Sequence, residues 1–176
     1  PRFVQPPKRL LFDRLGDIAY RSARSLPSVT AGGWDLIHAH QALPDGAMAQ
    51  RLAADLRVPC VVTVHGADVY QHLRMGGGVE KRAKAVLAAA DAVMANSSAV
   101  AGLLERVVAP EKLTVVLNGT TGLGESVEPA SDYLPGEPLV LTVGYLIESK
   151  GIRDLVAALG LLRRQGRSVK HLRFES

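Results

Sequence analysis

Residues 61–97 read VVTVHGADVYQHLRMGGGVEKRAKAVLAAADAVMANS, and this stretch contains the pattern that decides the fold. Residues 61–64 are β-branched throughout, which is typical of a strand that is buried on both faces. Residues 79–90 are predicted to form a helix, and residues 92–95 a second short strand. A helix that joins two buried strands indicates a βαβ unit, in which the two strands run parallel.

The same alternation continues on both sides of this stretch. Repeated alternation of strands and helices favours an α/β protein with a Rossmann-like, doubly wound parallel sheet. Pro44 and Asp45 are start signals for one of the helices. The further predicted strands are 35–40 and 113–117, and the further predicted helices are 8–26, 44–56 and 98–109.

A change of composition divides the chain into two parts. Residues 119–138 contain repeated Gly and Pro and no periodicity, so we predict a linker there. After it the sequence again reads as a strand and then a helix, with a further strand beginning at the end of the chain. We therefore predict an N-terminal Rossmann-like domain over residues 1–118, the linker, and the beginning of a second Rossmann-like domain over 139–176. The chain does not begin with Met and ends inside a predicted strand, so we expect that it is truncated at both ends.

The composition predicts which residues form the core. Of the 176 residues, 47% are hydrophobic but only 5% are aromatic, so Ala, Val and Leu must fill the interior. Cys60 is the only cysteine, so no internal disulfide can form, which fits a reducing cytoplasm. Because Cys60 lies in a predicted strand, we expect a buried, unreactive thiol.

The chain has a basic net charge, but its basic residues are not distributed as in nucleic-acid-binding proteins. The formal net charge is +4 and the sequence pI is about 9.5, yet no block of Lys and Arg stands out. Aromatic residues do not alternate with the basic ones as they do on a surface that stacks bases. We therefore expect no nucleic-acid partner. Phosphorylated small molecules or a membrane surface account for the charge better.

Several polar side chains follow the predicted strands. Ligands of parallel α/β sheets bind beyond the carboxyl ends of the strands, which makes His40, His65 and Asn118 candidates for a site. His38 and His40 lie on the same side of one strand, and with His65 they suggest zinc. No Cys or carboxylate joins them at ligand spacing, so we expect no metal.

Other residues have a structural and a functional interpretation. Asp45 and Ser97 precede predicted helices and are most simply N-terminal caps, and Ser97 lacks the flanking glycines of a nucleophile elbow. Asp68 either orders the loop after His65 or touches a ligand. We expect His38 to pack inside. The basic helix 8–26 either lies on anionic lipid or packs on the sheet with a solvated face, and Asp residues within it favour the second interpretation.

Five segments in order resemble one family, the retaining family-four glycosyltransferases of the GT-B fold. The resemblance extends over nearly the whole chain from Trp34 onward. The segments are WDLIHAH (34–40), VTVHGAD (62–68), ADAVMANS (90–97), VVLNG (115–119) and VGYLIESKGI (143–152).

The resemblance implies that a sugar moves from a nucleoside diphosphate-sugar to an acceptor hydroxyl, with retention and without a metal or other cofactor. In this family the N-terminal domain holds most of the acceptor and the second domain holds the donor. His65 matches the histidine that reaches the donor sugar near the anomeric carbon. The remaining matches are Gly144, Lys150 and Gly151 for the donor diphosphate, with His40, Asp68 and Asn118 as acceptor-side candidates.

The sequence also departs from the family pattern. Tyr145 stands where the family usually has an arginine that contacts phosphate, and Thr120-Thr121 replaces an apolar residue and an aspartate. The glycine-rich loop after the first strand and the late pair of glutamates are not in this sequence. We therefore expect that the fragment alone transfers no sugar. The alternatives are a non-catalytic binding protein of the same descent and a nucleotide-sugar epimerase. We expect a cytoplasmic location, with a contact at the inner face of the membrane as a further alternative.

Overall fold

The structure of the protein, a computed structural model, describes residues 11–119, 139–167 and 171–175. The chain divides into two compact units, Pro1–Thr121 and Gly122–Ser176. The α-helices and strands of the first unit are, in chain order, α1 (Leu15–Ala23), α2 (Pro27–Thr30), β1 (Ile37–His40), α3 (Ala47–Leu56), β2 (Cys60–Val64), α4 (Ala67–Tyr70), α5 (Gly77–Ala89), β3 (Ala92–Ala95), α6 (Ser98–Leu104) and β4 (Leu113–Val115).

The four strands form one parallel sheet in the order β1-β2-β3-β4. Ile37 pairs with Cys60, Val61 with Ala92, and Val93 with Leu113. The Rossmann-like α/β prediction is therefore confirmed. Because all four strands point the same way, their carboxyl ends lie at a single edge of the sheet.

The core consists of the residue types that the composition predicted. Val62 and Val64 of β2 and Val86 and Leu87 of α5 are almost completely buried. The cluster around them contains Ala, Val and Leu with Cys60 as the one other member among the described residues. Burial, and then the nearby charge of Asp91, raises the pKa of the Cys60 thiol to about 11, which fits the predicted unreactive thiol.

Several helix boundaries differ from the prediction. The helix predicted over 8–26 ends at Ala23, and Pro27 then starts α2, because proline suits the first turn of a helix. Met75 and the glycines after it were predicted as a loop, yet α5 begins at Gly77. The helix predicted over 98–109 ends at Leu104. Residues 8–10 of the first helix lie outside the described residues.

The second unit contains β5 (Leu139–Val143), α7 (Ile152–Arg164) and β6 (His171–Glu175). Strands β5 and β6 pair in parallel, with Leu139 opposite His171. Gly166 adopts φ +74° just after α7, where the sequence predicted a glycine stop. Most of the predicted linker, residues 120–138, lies outside the described residues. The assignment of the two units to acceptor and donor domains stays a prediction. No helix in the described part of the chain has the length and apolar character needed to cross a membrane.

Candidate functional site

His65 lies directly after β2, at the carboxyl edge of the sheet. The next residue, Gly66, has φ +65°, a left-handed conformation that side chains disfavour, so a glycine is needed for this turn. The backbone amide of His65 donates a hydrogen bond of 3.1 Å to Oδ2 of Asp68. The turn and this bond together set where the His65 side chain leaves the backbone.

Asp68 is fully buried and ties two strand ends together. Its Oδ1 accepts a 2.6 Å hydrogen bond from the amide of Ala42, which follows β1, while its Oδ2 accepts from His65. His72 Nδ1 lies 3.7 Å from Oδ1, too far for a hydrogen bond, so we attribute most of the stabilisation to the two amides. Burial alone would raise the pKa of Asp68, but His72 and the two amides outweigh it and lower the pKa. These contacts favour the ordering role that the sequence left open.

His40 contacts His65 across the two strand ends. Nδ1 of His40 lies 2.9 Å from Nε2 of His65, a hydrogen-bond distance. The two rings are stacked, with centroids 5.2 Å apart and planes at 18°. One ring nitrogen must donate and the other accept, so the bond requires matching tautomers. His65 Nε2 is thereby engaged, and Nδ1 of His65 has no hydrogen bond within the described residues.

The prediction that His38 packs inside was wrong. His38 is exposed, and its Nε2 lies 2.7 Å from Oγ1 of Thr63. The buried side of β1 is that of Ala39, so both histidines emerge on the other side. Partial desolvation, and then the charges of His40 and His65, lower the pKa of His38. Thr63 was missed by sequence reasoning, because its β-branched side chain reads as part of a buried strand.

The remaining predicted positions on this unit have different outcomes. Oγ of Ser97 accepts a 3.2 Å hydrogen bond from the amide of Val100, which confirms the predicted cap of α6. The predicted cap role of Asp45 was wrong, because α3 begins at Ala47 and no side-chain bond caps it. Asn118 is exposed, and no described hydrogen bond joins it to the histidines. Across the described ranges, no three His, Cys, Asp or Glu side chains are placed to hold a metal ion.

The predicted donor positions lie together on the second unit. Gly144 follows β5 with φ +148°, and a β-carbon placed on it would lie 4.0 Å from Cδ of Lys150. Gly151, at φ +67°, is the N-cap of α7, and no side chain caps that helix. An uncapped helix N-terminus beside a lysine attracts anions, since its first amides have no partner within the helix. This geometry can bind a phosphate group.

Among the described residues around Lys150 there is no second cation that is free of an ion pair. Tyr145 is 73% exposed and can donate one neutral hydrogen bond at most. The nearby Arg153 forms an exposed ion pair with Glu148, at 3.5 Å. The described residues therefore offer no evident substitute for the arginine that Tyr145 replaces.

Comparison with known proteins identifies the family of the chain. The family model described as Glycosyltransferase Family 4 matches residues 2–121. The chain is also 29% identical over 143 residues to a Bacillus subtilis (strain 168) protein named "Putative teichuronic acid biosynthesis glycosyltransferase TuaC". That match covers 77% of this chain but only 36% of the relative. Since the family model extends over more than half of the sequence, the chain belongs to Glycosyltransferase Family 4.

Proposed function

We propose that this chain supplies the acceptor-side domain, and the opening of the donor-side domain, of a retaining glycosyltransferase. The reaction moves a sugar from a nucleoside diphosphate-sugar to an acceptor hydroxyl. Membership of the family and the name of the relative support glycosyl transfer in general. The donor class, retention and independence of metal rest on the resemblance of the motifs.

The observation that carries the proposal is the double restraint on His65. Its backbone amide is held by the buried carboxylate of Asp68, and its ring is held by His40 at 2.9 Å. Preorganised groups stabilise a transition state best, because they need no reorganisation when charge develops. In this proposal His65 faces the reacting sugar, and His40 and Asp68 act as positioning residues.

The donor diphosphate is proposed to bind at the start of α7. Lys150 and the amides that follow Gly151 would take up the negative charge that grows on the leaving diphosphate. Tyr145 makes one neutral contact where the family usually has a cation, so donor affinity is expected to be lower than with arginine. Lys150→Ala should weaken binding of a nucleoside diphosphate, and Tyr145→Arg should strengthen it.

The test is a donor and acceptor screen on a protein that carries this sequence together with the whole donor domain. Release of nucleoside diphosphate only in the presence of acceptor, with an α-linked product from an α-donor, supports the proposal. An isomerised sugar without acceptor would point to the epimerase. Failure to bind any nucleotide-sugar would point to the non-catalytic protein that Tyr145 suggests. We expect no turnover from the 176-residue chain alone, since it lacks the glutamate pair.

We also propose that the protein is located in the cytoplasm and makes a peripheral contact with the membrane. Of the two predictions for the first basic helix, the contacts favour packing on the protein. Asp17 of α1 pairs with Arg51 and Arg82 at 2.9 Å each, and Tyr20 donates to Asp55 at 2.6 Å. These bonds engage α1 with α3 and α5, so any membrane contact is better sought elsewhere.

A further inference from the structure

An open groove of about 420 Å³ lies on the helical side of the first unit, between α4 with the segment after it, α5, and α6 with the residues that follow it. Its floor is apolar and its rim is cationic. Small-molecule sites commonly have volumes of this order and a similar combination of apolar walls with few polar groups. The floor includes Val69, Leu73 and Val107, and the rim includes Arg74, Lys84 and Arg106.

The rim carries charge that the described residues do not neutralise. Of the three cations, Lys84 pairs with Glu80, whereas Arg74 and Arg106 form no ion pair within the described part of the chain. The guanidinium of Arg74 lies over the ring of Tyr70, 5.9 Å from its centroid. Two unpaired arginines beside one neutralised lysine favour an anionic ligand.

Exposed apolar side chains lie in the groove or next to its lining residues in the chain. Tyr70 is 51% exposed, Met75 60% and Leu103 42%, with Leu103 lining the groove itself. A free phosphate would gain nothing from this apolar surface. An anionic lipid uses both features, because its head group meets the arginines while its chain covers the apolar floor.

We propose that this groove binds the anionic head group and the upper acyl chain of a membrane lipid. It thereby docks the first unit on a negatively charged bilayer. This inference rests on the peripheral membrane contact proposed above and places that contact on a surface other than the basic face of α1. Lipid binding requires no glycosyl transfer, so this inference and the proposed sugar transfer can fail independently. A β-carbon on Gly66 would lie 3.6 Å from the Tyr70 ring, so the docking segment adjoins the turn after His65.

The experiment is sedimentation of the 176-residue chain with vesicles at low salt. We expect it to pellet with equal parts phosphatidylglycerol and phosphatidylcholine, and not with phosphatidylcholine alone. Arg74→Gln with Arg106→Gln should lower partitioning about 30-fold, because each basic residue near an anionic surface contributes about fivefold. The control Arg21→Gln with Arg24→Gln removes the same charge from exposed positions at the end of α1 and should change partitioning less than threefold.

A second variant tests the apolar half of the groove. Leu103→Asn should lower partitioning about fivefold at every salt concentration, since that loss is not electrostatic. Equal losses in the two arginine pairs would show that net charge alone is responsible and would overturn the proposal. The proposal would also be overturned if both groove variants pelleted as the wild type does, or if the wild type did not pellet. Full competition by glycerol phosphate would overturn it as well, because it would identify a free anion as the ligand. Thermal melts followed by circular dichroism check that each variant is folded. If a variant does not fold, competition of wild-type pelleting by short-chain phosphatidylglycerol tests the groove in its place.

Discussion

Replacing Asp68 by Ala removes the acceptor of one buried and one partly buried backbone amide. The carboxylate is 0% exposed and accepts from Ala42 at 2.6 Å and from His65 at 3.1 Å. A buried polar group left without a partner costs about 1–3 kcal/mol, so two amides predict a loss of about 2–6 kcal/mol. Because domains are stable by only about 5–15 kcal/mol, this is a large part of the total.

The loss can be measured by urea denaturation at pH 7, followed by circular dichroism. The midpoint should fall while the dependence of the free energy on urea stays constant. Asp91→Ala is the matched control, since Asp91 is exposed and accepts a 2.8 Å bond from the amide of Cys60. It leaves one amide, that of the buried Cys60, without its side-chain acceptor, so it should cost about half as much, about 1–3 kcal/mol. If Asp68→Ala costs no more than the control, the carboxylate does not hold the two strand ends.

The stabilisation by the Asp68 carboxylate should depend on pH and should be lost at low pH. The pKa of Asp68 is lower in the folded protein than its value of about 3.9 in an unfolded chain. The folded state therefore binds fewer protons, and the stabilisation is complete above about pH 5. It should disappear as the pH falls through 3.9 to the folded pKa. The difference in stability between wild type and Asp68→Asn should narrow over this range and stay constant above it.

Three further predictions concern residues with simpler environments. His38 has a lowered pKa, so the unfolded chain takes up its proton first and stability should fall as the pH drops below about 6.5. His38→Asn should flatten this part of the melting-temperature profile. Ser97→Ala should cost about 1 kcal/mol in urea, against less than about 0.5 for the exposed Ser98→Ala. The Cys60 thiol, buried and with a pKa of about 11, should resist iodoacetamide at pH 8 until urea unfolds the chain, and rapid native labelling would contradict its burial.

The sheet was predictable because its signals are local. The β-branched run of β2 and the helical stretch before β3 predict a parallel unit without any knowledge of distant contacts. The start of α5 was not predictable, since glycines weaken the local helix signal. A β-carbon on Gly78 would lie 2.8 Å from Oδ2 of Asp13, so this glycine is fitted to a segment far away in the sequence.

The position of the candidate site could be predicted from the sequence, but the hydrogen bonds of its residues could not. Strand ends and the glycine after His65 indicated which residues meet at the sheet edge. The two roles of Asp68 could not be separated, because one of its partners, Ala42, is 26 residues away. The alternation of side chains along β1 shows that His38 and His40 lie on the same side of the strand. It does not show which of the two sides is covered by helices, so the prediction for His38 was wrong.

The proposed role of His65 is tested most directly by the turnover of His65→Ala in a protein that also contains the complete donor domain. Ser97→Ala is the control, because Ser97 follows the neighbouring strand but only caps a helix. If His65 faces the reacting sugar, His65→Ala should lower kcat at least about 100-fold with little change in the free energy of unfolding. Ser97→Ala should behave in the opposite way, with lower stability and unchanged turnover. Turnover of His65→Ala within a few fold of the wild type would show that His65 does not act on the reacting sugar.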